Sequence, residues 1–250
     1  MSDISLVVLF LAIAMAALML VSAVNQKQLR SRVISQKLAQ MKRRVADMEE
    51  LAVNVDSLVD SAEIAKHVND EVLDMIEIMR TLDGSSQSLL VMKDSAQRLA
   101  DEYHNPQRPR EIYRLQDSDA AIARSLYQLN DAGRIIRKRQ AEGKLEIAQM
   151  ENCIHELAWA HMLVAVTSSI AQGHKAMNRG DVLRAFAFYK KAQQVAMQTS
   201  STDERRQELI KQITDMLNNK RKSLSTDFMP ETQFNPSKDS EPLPPDTMFG

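Results

Sequence analysis

The chain carries very little of the punctuation that β structure needs. In 250 residues there are 6 glycines and 7 prolines, and five of the prolines fall after position 225. Aromatic residues amount to 4%. Sheets take Gly, Pro, Asn and Asp at their turns and β-branched or aromatic residues in their strands. Their scarcity excludes a sheet-rich fold and predicts an all-α one. Cysteine occurs once, at Cys153, which excludes an internal disulfide and any CxxC motif. In its apolar helical surroundings Cys153 reads as a small packing residue. Neither sign of charge dominates: 32 Lys and Arg face 33 Asp and Glu, so the chain as a whole is not built for nucleic acid.

Catalytic and cofactor motifs are also missing. The glycines at 84, 133, 143, 173, 180 and 250 never fall in GxGxxG or GxxxxGK spacing. His155 and His161 bracket a string that resembles a zinc helix, but HExxH wants its second histidine at 159, where Trp159 stands. Six residues apart, the two imidazoles point to opposite sides of a helix and cannot share an ion. Asp117-Ser118-Asp119 stands where a helix begins, and carboxylates and hydroxyls there cap free N–H groups. We therefore expect no enzyme activity, no cofactor or metal, no small-molecule substrate and no nucleic-acid partner.

What the chain does have is one long apolar run. Ile4 to Val24 contains no charge. At about 1.5 Å per residue it spans roughly 30 Å, the thickness of a bilayer's hydrocarbon layer. A cleaved signal peptide would want a basic residue ahead of the run, whereas Met1, Ser2 and Asp3 offer none. Residues 4–24 are expected to be a membrane anchor in contact with lipid. Lys27, Arg30, Arg32, Lys37, Lys42, Arg43 and Arg44 follow with no acid among them. The positive-inside rule then leaves the C-terminal side in the cytoplasm and the short N-terminus outside, in a single-pass inner-membrane topology. Lys27, Arg30, Arg32 and Lys37 are assigned to the membrane interface.

After the anchor the apolar period changes. Ile34, Leu38, Met41, Val45, Met48, Ala52, Val55, Val59 and Ala62 are spaced alternately four and three apart. That is the a/d seam of a coiled coil, expected over 25–82 and expected to join copies of the chain into a homo-oligomer. The competing reading is an amphipathic helix packed inside the chain's own bundle, which Leu51 and Leu58 favour by widening the stripe. A helix over 86–104 follows and can fold back as a hairpin partner. Asn105-Pro106-Gln107-Arg108-Pro109 breaks the helical pattern and is taken as a domain boundary. Residues 110–224 read as a helical domain, with Trp159 in its core. Residues 225–250, rich in Pro, Ser, Thr and acid, read as a disordered tail.

One stretch of that domain carries a motif. In residues 173–192, GHKAMNRGDVLRAFAFYKKA, a small residue is followed by a Gly-Asp turn and then by Ala, an aromatic and Ala. This resembles one tetratricopeptide repeat, over about 160–198. Gly173, Gly180, Ala185, Tyr189 and Ala192 match its packing positions. Ser169 and Met197 depart from the pattern, and no second clear copy lies 34 residues away. The resemblance implies a helical hairpin, with residues 202–217 as a capping helix, and protein–protein docking on a helical face. Together these features lead to the expectation of a membrane-anchored scaffold that binds unidentified protein partners. A structural coiled-coil spacer with no docking groove is the alternative.

Overall fold

The computed structural model describes residues 3–105, 107–199 and 203–230. Its described residues form seven helices and no strand. Helix α1 (Asp3–Asp56) is followed by α2 (Glu63–Leu82) and α3 (Gln87–His104). An extended segment leads to α4 (Asp119–Ala141), α5 (Ile147–Asn178), α6 (Val182–Gln198) and α7 (Arg205–Leu217).

Local chemistry sets the helix ends. The Ser118 hydroxyl accepts from the Ala121 amide at 3.2 Å and starts α4. Glu146 and Gln149 form a reciprocal capping box at α5, and the Asp181 carboxylate accepts from the Arg184 amide at 3.1 Å to start α6. Helices α4 and α5 both end in Schellman turns with a left-handed glycine, Gly143 at φ 72° and Gly180 at φ 79°. After α5 the Asp181 amide donates to the Ala176 carbonyl and the Gly180 amide to that of Met177, at 3.0 and 2.9 Å.

Two hydrophobic clusters lie along the bundle. The first joins the C-terminal third of α1 to α2, α3, α4 and the first half of α5, through Val45, Val55, Ile64, Ile76, Leu89, Ile136 and Leu157. The second joins the rest of α5 to α6 and α7, through Trp159, Met162, Ile170, Tyr189, Leu209 and Ile213. Helix α5 belongs to both. Among the described residues it is also the one helix long and apolar enough to cross a membrane, yet 67% of its apolar window is buried inside the fold. Its apolar surface serves the core.

Three sequence expectations need correction. A coiled coil through residue 82 gives way to two helices, because α1 stops at Asp56 and α2 starts at Glu63. Val45, Met48, Ala52, Val55 and Val59 of the expected seam are buried in the chain's own core. Leu38 and Met41 pack against its edge, Ala62 is half-buried, and Ile34 is exposed. From Val45 to Val59 the seam is filled from within the chain. The proline break interrupts the helices, but the first cluster runs across it from α1 to α5. The tail does not begin at 225: Leu224, Phe228 and Met229 are buried in the second cluster. The Phe228 ring meets Trp159 edge-on, centroids 6.3 Å apart. Residues 231–250 lie outside the described residues.

Candidate functional site

Three regions carry the residues that the sequence singles out. The first is the stalk, the part of α1 between the expected anchor and the core. Lys27, Arg30, Arg32 and Lys37 are all exposed on it, as are Arg43 and Arg44. Leu29, Val33 and Ile34 are exposed beside them. Most side chains of residues 4–24 lie outside the described residues, but the helix is continuous from Asp3. Met15, Leu18, Met19, Val21 and Val24 stand exposed on it.

The second region is the α5–α6 hairpin, where Gly173, Ala185, Tyr189 and Ala192 come together. A Cβ added at Gly173 would lie 2.3 Å from Tyr189 Cε1 and 3.2 Å from the Ala185 carbonyl oxygen. The missing side chain is therefore what admits the ring. Ala185 and Ala192 are fully buried against α5, and Gly180 sits in the turn. The Tyr189 hydroxyl and His174 Nδ1 are hydrogen-bonded at 2.9 Å, and burial pushes the phenol up to about 12. These residues pack the hairpin rather than face solvent. The surface the hairpin offers is the outer side of α6, with Val182, Leu183 and Met197 exposed among Lys190 and Lys191.

The third region was not foreseen. The segment after the proline break lies across the α1–α2 loop and fastens it with arginines. Arg110 donates to Asp56 Oδ1 at 3.0 Å and to the carbonyl oxygens of Asp56, Val59 and Asp60 at 2.7, 3.0 and 2.6 Å. Arg108 reaches Asp56 Oδ2 at 2.6 Å, and Arg114 donates to the Leu58 carbonyl at 2.8 Å and to Asp60. Arg205 of α7 joins Asp60 at 3.3 Å while its guanidinium lies 4.5 Å from the Trp159 ring centroid. Carbonyls at a helix C-terminus have no intrahelical partner and carry the negative end of its dipole. The arginines supply both the donors and the charge. Burial raises the Asp60 carboxyl, but hydrogen bonds from Arg114 and Arg205 hold it below the usual carboxylate range. In the sequence this clamp shows only as RPREIYR, three cations without a nearby opposite charge except Glu111.

A buried ion network also ties α4 to α2. Glu71, 3% exposed, pairs with Lys138 and with Arg139, and Arg139 donates to Asp74 Oδ2 at 2.7 Å. Lys138 and Arg139 thus bridge two helices. Nearby chemistry is quiet. Burial pushes the Cys153 thiol up to about 11, so it is a poor nucleophile. Among the described residues no group of three or more His, Cys, Asp or Glu is placed to hold a metal ion.

Against known proteins the chain stands alone: no family, no curated protein and no solved structure matches it.

Proposed function

We propose that the chain is a single-pass, membrane-anchored scaffold whose helical body docks partner proteins on the cytoplasmic side. One observation carries the reading. A single 54-residue helix has an uncharged apolar run at one end and the protein's core at the other. Lipid is the solvent that suits an uncharged helix of that length, because every backbone group is already bonded within it. The unpaired cations beyond residue 24 favour the cytoplasmic orientation.

The docking part of the reading draws on the hairpin. Its small-residue packing resembles a tetratricopeptide unit, and the exposed Val182, Leu183 and Met197 give its outer face apolar anchors. The spacer reading has its own support in the unbroken helical stalk with Leu29, Val33 and Ile34 exposed.

Membrane flotation with a C-terminal reporter tests the anchor and its orientation. A chain that stays membrane-bound through carbonate extraction, with a fluorescent protein active at its C-terminus, supports both. To separate scaffold from spacer, residues 25–250 are the proper soluble form. A fragment starting at 110 would strip α1–α3 from the first cluster and expose Leu129, Ile136 and Leu157. A purified partner held by residues 25–250 and lost in Leu183→Asp supports the scaffold. Binding unaffected by that change, and lost when residues 25–44 are removed, supports the spacer.

A further inference from the structure

Helix α6 carries two stripes. Ala185, Tyr189, Ala192 and Ala196 are buried and pack it into the second cluster. On the opposite side Leu183, Ala187, Lys190, Gln194 and Met197 are all exposed, and they are spaced alternately four and three apart. Leu183 is 87% exposed and Met197 57%, although both are large and apolar. Such spacing on an outward face is the geometry by which one helix lies along another. Ala187 keeps the face low enough for close approach. Arg184 and Lys191 are exposed along one edge of the stripe, and Phe186 is half-buried along the other.

The same face is basic and its charge is unanswered. From Val182 to Gln198 there is no acid, and Arg179 stands exposed just before it. Among the described residues Arg179, Arg184, Lys190 and Lys191 are in no ion pair. Asp181, the nearest acid in sequence, serves as the cap of α6. Elsewhere the body pairs its lysines: Lys175 meets Asp117 at 3.0 Å and Lys93 meets Glu77 at 3.1 Å. The anchor's own membrane is out of reach. The second cluster holds no residue of α1 and meets the α1–α2 loop, where Arg205 joins Asp60. On the anchored reading that loop stands about 48 Å along the helix from Val24, several Debye lengths of about 8 Å. Nucleic acid would leave Val182, Leu183 and Met197 unused, because phosphates offer no apolar surface to bury them.

We propose that the outer face of α6 docks an acidic amphipathic helix of a partner protein. This deepens the docking reading and rests on it. The occupant is a helix because α6 has made its own backbone hydrogen bonds and offers no strand edge to an extended peptide. The partner's aliphatic residues, three and four apart, lie against Leu183, Ala187 and Met197. An acid faces Lys190 in the middle of the seam, where a charged residue fixes register. Acids on the partner's flank meet Arg184 and Lys191, which steers the approach and rejects basic partners. A second copy presenting the same face is disfavoured, because a twofold contact sets these cations against themselves.

The test uses the full chain in permeabilised cells that make it, with a photo-crosslinking residue at Gln194. The expected product joins the chain to a second protein. The mapped segment of that protein has aliphatic residues three and four apart with Asp or Glu between them. The yield falls about fivefold or more in K190E/K191E and in about 0.5 M salt. Changing the mapped acids of the partner to lysine restores the yield with K190E/K191E, which an unfolded variant could not do. A mapped segment without acidic excess, or a yield indifferent to K190E/K191E, overturns this proposal and leaves the docking reading standing. Capture of lipid, nucleic acid, a second copy or residues 231–250 of the same chain, with no other protein, also overturns it. So does the absence of any product. If Leu183→Asp then leaves partner binding unchanged as well, the docking reading falls with it.

Discussion

Replacing Gly173 by alanine sets two opposing terms against each other. In a helix interior alanine is favoured over glycine by about 1 kcal/mol. At position 173 the new methyl would meet Tyr189 Cε1 at 2.3 Å and Cδ1 at 2.7 Å. Carbon atoms rest at about 3.5–4.0 Å, so the ring must retreat by more than 1 Å or the helices must part. The ring is 4% exposed and bonded to His174, and the Ala185 carbonyl oxygen blocks the methyl on the other side at 3.2 Å. Overpacking of this kind costs about 1–3 kcal/mol, and loss of the Tyr189–His174 bond adds about 1 more. The clash wins. Gly173→Ala should lose about 1–3 kcal/mol net, a fall of several degrees in Tm by circular dichroism on residues 25–250. Gly133→Ala is the internal control, because there a Cβ meets only ordinary contacts at 3.4 Å and beyond. It should hold or raise Tm. A Gly173→Ala protein as stable as the parent would refute the packing argument.

Other perturbations follow from the clamp and the buried charges. Arg110→Ala removes four hydrogen bonds and leaves the carbonyls of Asp56, Val59 and Asp60 without that donor. It should cost about 2–4 kcal/mol in urea unfolding, with amide exchange at residues 57–62 rising most. Glu71→Ala leaves Arg139 buried with one partner fewer and should cost about 3–5 kcal/mol, whereas a Glu71→Ala/Arg139→Leu pair should recover part of that loss. Glu156 behaves in the opposite sense. Burial, then the charge of Asp60, raises its carboxyl above its ordinary 4.5, and Oε2 has no hydrogen-bond partner among the described residues. A carboxyl raised in the folded state adds stability at low pH that is lost as pH rises through its folded value. Glu156→Gln should therefore raise Tm at pH 7 and leave it unchanged at pH 4. A shift at both would assign the effect to packing.

Helix content was legible because it depends on local composition. The turn at Gly180, the Ser118 cap and the burial of Trp159 in α5 all follow from side chains within one or two turns. The seam from Ile34 to Ala62 was legible as a stripe but not as an interface. A helix can show its apolar face to a second copy or to its own chain, and period alone is the same in both cases. The deciding residues sit on other helices, α2 and α4, which the period of α1 does not reveal. Gly173 and Tyr189 could be paired because a motif fixes their spacing. Arg110 and Asp56 could not, since 54 residues separate them and neither has a local signature. Phe228 and Met229 were hidden by their neighbours, because proline-rich composition averaged over 225–250 masks two anchors at its start.

The unbroken path of α1 from Asp3 to Asp56 makes the proposed stalk a screw thread. Each residue added to it turns everything beyond by about 100° and lifts it by about 1.5 Å. Deleting one residue between Val24 and Ile34 would swing the outer face of α6 by more than a quarter turn about the axis of α1. Inserting seven would raise it by about 10 Å and return it to within about 20° of its old bearing. Length and direction are therefore coupled in this protein. A neighbour in the same membrane that reads direction should tolerate seven-residue changes in the stalk and reject changes of one or two. A soluble neighbour, free to approach from any side, should accept them all.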